Sequence, residues 1–328
     1  MILIKIIYSF LVGCRNFLYD KNILKSYQSC IPIISVGNIT VGGTGKTPFV
    51  IFLANYLKKN NHRPLIITRG YKRKTTKQII LTKNHNFSVE DVGDEALLLV
   101  SACDDVDVLV NKNRVDAVKW AEQQTKKYTC IILDDAFQHR AINRNFNILL
   151  ISPEQKMNNY PPIGELREPV KNIRRADAIV FTKGKNVNNK LQSIVKLFNI
   201  PCFESDIDFK IKKPNKDKDC LKSCVSFCGI GNPHFFINTI KKLLIAPKEH
   251  ISFQDHQSYT DSTVQKIEAS LKKHNVKTFI TTRKDWIKLP KGFLNKYTGI
   301  CIDMFISIDM SEKHSNFKSL LFKKIEPK

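Results

Sequence analysis

The chain has 328 residues and a formal charge of +23, from 53 Lys and Arg against 30 Asp and Glu, and 42% of it is hydrophobic. That length and apolar content exclude a disordered chain and allow two domains, while the charge would attract any polyanion, be it nucleic acid, an anionic membrane or a phosphorylated substrate. Nine cysteines, an odd number with no C-x-x-C pair, point to reduced thiols in a cytosolic protein; a metal site at Cys220, Cys224 and Cys228 lacks a fourth ligand.

The first predicted element is an apolar, aromatic helix over residues 1–20. Lys5 and Arg15 leave nine uncharged residues between them, whereas a spanning helix needs roughly 20. No small-residue cleavage site follows, which argues against a signal peptide. Two placements fit the stretch equally, a helix lying in a membrane interface with both cations at the head groups, or a helix of the core.

From 31 to about 205 buried strands alternate with helices, as a parallel sheet covered on both faces requires. The strands are expected at Ile31–Val36, Pro64–Thr68, Ile79–Leu81, Val106–Val110, Cys130–Leu133, Asn147–Ile151 and Ala178–Phe181. Between the first strand and a helix through Val50–Lys58 lies a glycine loop ending in Gly45-Lys46-Thr47. Amides of Gly42, Gly43, Thr44 and Gly45 can surround phosphate oxygens, with Lys46 on the β/γ oxygens and the Thr47 hydroxyl on magnesium. The loop departs from the usual pattern in carrying Thr40 where a glycine is expected. It predicts a nucleoside triphosphate site.

Further along, Arg69-Gly70-Tyr71 follows a strand at the same sheet edge and offers cations for phosphate. Gly93-Asp94-Glu95 opens an apolar helix, where Asp94 serves either as a cap or as a base on a substrate hydroxyl. Asp134-Asp135 ends a strand, as metal-holding acids do beside a phosphate loop and as turn residues also do. An alternating segment and a lysine-rich run over 206–222 mark a linker. Beyond it, Val225–Phe227, His250–Phe253 and Lys277–Thr281 alternate with helices in a smaller α/β unit that carries Asp255-His256 in a polar loop.

Taken together, these motifs, with Asp134-Asp135-Ala136-Phe137-Gln138-His139, Leu166-Arg167-Glu168-Pro169 and Gly229-Ile230-Gly231-Asn232-Pro233, resemble the tetraacyldisaccharide 4′-kinase family over residues 1 to about 290. The resemblance implies a P-loop NTPase-like, mostly parallel α/β domain hinged to a smaller α/β domain. The divisions are a membrane-associating helix at 1–20, the kinase domain at 21–205, a hinge at 206–222 and the smaller domain at 223–328. It implies transfer of the γ-phosphate of ATP, with Mg2+, to the 4′-hydroxyl of tetraacyldisaccharide 1-phosphate, forming lipid IVA at the cytoplasmic face of a Gram-negative inner membrane.

Carried over residue by residue, Thr40, Val41 and the loop through Thr47 bind ATP. Thr47, Asp134, Asp135 and Glu168 organise the metal. Asp94 is the base, paired with His256, and Arg69, Tyr71, Gln138 and Arg167 meet the substrate. No obligate protein partner and no nucleic acid are implied, and interfacial placement of the first helix becomes the favoured one. Two residues depart from the family pattern, Ala136 in place of a glycine and Arg283 in place of an acid. A regulatory P-loop NTPase is the competing reading, yet Asn111-Lys112-Asn113-Arg114 lacks the Asp with which an N-K-x-D motif grips guanine. A nucleic-acid-dependent ATPase rests on charge alone.

Overall fold

The computed structural model describes residues 2–83, 87–124, 127–152, 157, 159–161, 164–182, 189–212, 223–308 and 317–326. Eight strands form the larger sheet: β1 (Ile33–Gly37), β2 (Pro64–Thr68), β3 (Ile79–Leu81), β4 (Asp107–Val110), β5 (Cys130–Leu133), β6 (Phe146–Ile151), β7 (Ala178–Phe181) and β8 (Cys202–Glu204). Their order is β3-β4-β2-β5-β1-β6-β7-β8, parallel throughout except for β3 against β4. The central strands are buried along their whole length, so they read as unbroken Ile, Val and Leu rather than as alternation. The parallel order places the ends of β1, β2 and β5 side by side at one sheet edge, where ligands of such sheets gather.

The smaller sheet has β9 (Asp206–Lys212), β10 (Val225–Cys228), β11 (Glu249–Ser252), β12 (Thr278–Thr282) and β13 (Thr298–Ser307), ordered β11-β10-β12-β13-β9 with β9 antiparallel to β13. The sequence places 206–212 in the linker, but this segment is a strand. Its Ile207, Phe209 and Ile211 alternate with Asp and Lys, and it pairs with β13 along its whole length. The remainder of that linker, residues 213–222 with Cys220, lies outside the described residues. Cys224 and Cys228 are buried, and burial pushes their thiols up to about 11 and about 12, which suits packing rather than metal ligation.

The chain end also departs from the expected division. Ile306 near the end of β13, Ile308 just beyond it, and the helix Phe317–Ile325 join the core of the larger sheet instead of the smaller one. Phe317 lies against Phe49, Phe146 and Phe203, with ring centroids 6.4, 6.0 and 5.0 Å away. A buried Phe of this kind contributes about 2 kcal/mol. The helix therefore fastens the smaller unit to the larger one through a second crossing.

The helix Ile2–Asp20 lies on the surface of the larger unit. Tyr8 Oη donates to the Arg167 carbonyl at 2.8 Å, Arg140 Nη1 to the Asn16 carbonyl at 2.9 Å, and Asp20 pairs with Arg140 and Arg174. Ile6, Ile7, Phe10, Leu11 and Phe17 stay exposed, between 49% and 68%. Among the described residues no helix is long and apolar enough to cross a membrane.

Candidate active site

The glycine loop runs from the end of β1 into the helix Lys46–Lys59. Gly42 and Gly45 have φ of 106° and 79°, values that favour glycine, and a Cβ on Gly45 would lie 2.8 Å from Ile306 of β13. Thr40 is not in that region of φ; it forms an antiparallel bridge with Leu166, and Val41 N donates to the Glu165 carbonyl. Extended backbone needs no glycine, which explains why threonine is tolerated there. Thr44 is held from both sides, its hydroxyl by Asn38 Nδ2 at 3.0 Å and its carbonyl by Thr182 Oγ1 at 2.9 Å. The loop is thus a braced turn that opens a helix, whose N-terminus favours an anion.

Asp134 and Asp135 follow β5 beside this loop, and Lys46 Nζ is 3.7 Å from Asp135 Oδ1. Asp134 is buried and accepts from Thr68 Oγ1 at 3.1 Å. Burial and the neighbouring charge of Asp135 push its carboxyl up. Burial also acts on Asp135, but Lys46 and Arg167 outweigh it and hold that carboxyl low. Arg167 Nη1 reaches both of its oxygens, at 2.8 and 2.9 Å. Asp135 has φ 45°, and the buried Arg114 stabilises that turn by donating to the carbonyls of Asp134 and Asp135. Oxygen donors from Thr47, Asp134 and Asp135 suit a hard cation. Among the described residues no three acidic, His or Cys groups form a metal cluster.

Asp94 begins the helix Asp94–Ala102 and is 6% exposed. Gly93, with φ 87°, lies so close to Tyr71 that a Cβ would meet the Tyr71 carbonyl at 2.9 Å. The Arg69-Gly70-Tyr71 and Gly93-Asp94-Glu95 motifs are therefore two sides of one contact. His256, from the turn after β11, places Nδ1 2.7 Å from Asp94 Oδ2, and the Tyr71 ring stands edge-on to it with centroids 5.7 Å apart. Burial alone would raise Asp94, but the hydrogen bond from His256 and the charges of Lys284 and Lys288 hold it low, leaving it ionised. Glu95 feels both Asp134 and Asp94, which puts the pair beside the acids of the loop site.

A phosphate cradle, two acids at its rim and a carboxylate–imidazole pair from two different units are the kinds of groups that phosphoryl transfer uses. The sequence model of the family described as tetraacyldisaccharide-1-P 4′-kinase matches residues 1–326. The chain belongs to that family. It is 35% identical to the tetraacyldisaccharide 4′-kinase of Aquifex aeolicus over 324 residues, covering 97% of this chain and 96% of that protein. The Flavobacterium johnsoniae tetraacyldisaccharide 4′-kinase is 34% identical over 298 residues, with 87% and 85% covered. The solved structure of LpxK from Aquifex aeolicus in complex with ATP superposes with a TM-score of 0.80 at 32% identity, covering 99% of this chain and 98% of that one. The protein is a phosphotransferase with an alcohol acceptor.

Other expected residues make structural contacts around the loop. Glu168 is 1% exposed, and its oxygens take Gln138 Nε2 at 2.8 Å, Asn172 Nδ2 at 2.8 Å and Arg175 Nη2 at 2.5 Å. These three donors make Glu168 a brace of the 166–168 segment under the loop, with one donor on Oε1 and two on Oε2. Gln138 Nε2 is likewise spent on Glu168 and on the Asn38 carbonyl at 2.8 Å, which makes it a tie between the two sides of the cradle. Arg69 and Tyr71 remain exposed at the sheet edge.

Both departures from the family pattern are accommodated. Ala136 has no positive φ, its amide donates to the Val36 carbonyl at 3.1 Å and its carbonyl accepts from Arg144 Nη2 at 3.0 Å, so its methyl group meets no conformational penalty. Arg283 pairs with Asp303 and donates to the Ser101 carbonyl of the larger unit. Sequence reasoning passed over Arg114, Asn38 and Thr182, whose partners are distant along the chain; an Arg directly after the Asn-Lys-Asn of a strand end was the only local sign of the first.

Proposed function

We propose that the site transfers the γ-phosphoryl group of ATP to the 4′-hydroxyl of tetraacyldisaccharide 1-phosphate, giving lipid IVA, at the cytoplasmic face of a bacterial inner membrane. The observation that carries this reading is the Asp94–His256 pair beside the braced phosphate loop. A switch or a plain hydrolase has no need of a base assembled from two units. The relatives' names supply the acceptor, and the ATP-bound relative supplies the donor.

In this scheme the loop amides and Lys46 hold the β- and γ-phosphates. Thr47, Asp134 and Asp135 would hold magnesium, which when bound neutralises charge on the phosphate oxygens. His256 occupies Asp94 Oδ2, leaving Oδ1, which accepts the Glu95 amide at 2.9 Å among the described residues, to take the hydroxyl proton. The hydroxyl oxygen forms its bond to phosphorus as the bond to the β–γ bridging oxygen breaks and ADP leaves. Arg69, Tyr71 and Arg167 line the edge where the acceptor sugar would sit. Closure of the smaller unit, in the arrangement that seats His256 on Asp94, would expel water and limit hydrolysis.

The first helix supports the membrane reading. It spends its polar groups on the protein body, leaving Ile6, Ile7, Phe10, Leu11 and Phe17 outward, an arrangement that suits the acyl region of a leaflet. The test is direct: labelled ATP with tetraacyldisaccharide 1-phosphate in mixed micelles is expected to yield a labelled lipid. ATP hydrolysis without lipid labelling would overturn the assignment.

A further inference from the structure

The segment Thr281-Thr282-Arg283-Lys284-Asp285 contributes a side chain that the scheme above does not use. The Lys284 side chain is 19% exposed, and its Nζ lies 2.9 Å from Asp255 Oδ1, 3.4 Å from His256 Nε2 and 3.9 Å from Asp94 Oδ2. The charged and titratable groups facing His256 are thus Asp94 on its Nδ1 side and Lys284 and Asp255 on its Nε2 side, with the Tyr71 ring edge-on.

We propose that Lys284 is a positioning residue for phosphoryl transfer, holding His256 as the neutral imidazole whose Nδ1–H donates to Asp94. An ammonium has three protons and no lone pair, so any hydrogen bond it makes to Nε2 requires that nitrogen to be the acceptor. The single ring proton then sits on Nδ1, where its partner is Asp94 Oδ2 at 2.7 Å. The competing arrangement is a proton on Nε2 shared with Asp255, but Asp255 Oδ2 is 3.8 Å away and the Asp255 carboxylate is already engaged by Lys284. Lys284 therefore acts twice, by donating to Nε2 and by keeping Asp255 off it.

The consequence for the reaction is orientation. A neutral Nδ1–H donor fixes the Asp94 carboxylate and leaves it ionised. An imidazolium held between Asp94 and Asp255 would be free to rock between two carboxylates. The inference rests on the reading of Asp94 as base, but its NMR arm is read without substrate, so the two fail separately.

The test is ring-15N histidine NMR of the full chain near neutral pH, with His256→Gln used to assign the signal. The wild type is expected to show a protonated Nδ1 and an unprotonated Nε2 at His256. Lys284→Met is expected to shift Nε2 to the protonated position and to lower kcat about 10- to 100-fold with the KM for ATP within about twofold. Lys284→Arg, still a pure donor, is expected to keep the wild-type nitrogen pattern and recover part of kcat. A protonated Nε2 in the wild type would overturn the proposal. So would a Lys284→Met spectrum unchanged at His256 while kcat falls, since that is what a merely structural lysine would produce.

Discussion

His256 Nδ1 and Asp94 Oδ2 lie 2.7 Å apart although 162 residues separate them, and the bond joins a turn of the smaller unit to a helix N-terminus of the larger. Residues that act as one unit show non-additive losses. Asp94→Ala is expected to lower kcat about 10²- to 10⁴-fold and His256→Ala by less, with the double variant within about threefold of Asp94→Ala. Steady-state kinetics decide it; fully multiplicative losses would separate the two residues.

Lys46 stands at the N-terminus of the loop helix, its ammonium 3.7 Å from Asp135. Lys46→Ala is expected to cost about 10²-fold or more in kcat while the circular dichroism spectrum and melting temperature stay near those of the wild type. Unchanged turnover would remove the loop from the chemistry.

Gly93 is both in the left-handed region of φ, at 87°, and pressed on the Tyr71 carbonyl. Gly93→Ala is expected to destabilise the fold by about 2 kcal/mol. It should also displace Asp94, lowering kcat on the order of 10-fold. Chemical denaturation measures the first effect and the lipid kinase assay the second; a variant as stable and active as the wild type contradicts both.

Burial and the charges of Asp134 and Asp94 push Glu95 from 4.5 up to about 7. The folded state therefore retains a proton that the unfolded chain has released, and Glu95 subtracts stability as pH rises between those two values, with the full loss present above the higher one. Glu95→Gln abolishes that dependence. Its advantage over the wild type should grow across the window to a value on the order of 2 kcal/mol, read from denaturation curves at several pH values without magnesium or nucleotide. A difference that is constant with pH would refute it.

Phe10 and Phe17 are 68% and 56% exposed on the first helix and make no part of the protein core. Converting both to Asp should weaken co-sedimentation with anionic vesicles by on the order of 10-fold or more. The contacts of Tyr8, Asn16 and Asp20 stay in place in this variant, so the fold and ATP binding are expected to persist. Undiminished vesicle binding would transfer the membrane contact to the basic surface alone.

Much of this architecture is legible from one sequence because parallel strands buried on both faces leave unbroken apolar runs. Six of the expected strands, from Pro64–Thr68 to Ala178–Phe181, fall within a residue of their place in the larger sheet, and the glycine loop sits where a strand must turn into a helix. The failures share one cause. The strand Asp206–Lys212 and the helix Phe317–Ile325 have ordinary local patterns, and nothing within them names the partner against which they pack.

The sequence by itself determined the phosphate loop, the acids at the strand end and the family to which they point, because each is a short pattern whose chemistry depends on neighbours along the chain. Tertiary structure alone decided that Lys284 joins the expected His256–Asp94 pair, that Glu168 and Gln138 brace the cradle, and that the chain end returns to the larger core. Those relations depend on how far the backbone travels before it comes back. Hydrogen bonds of about 3 Å between residues more than a hundred positions apart are set by the packing of whole sheets, which no local spacing encodes.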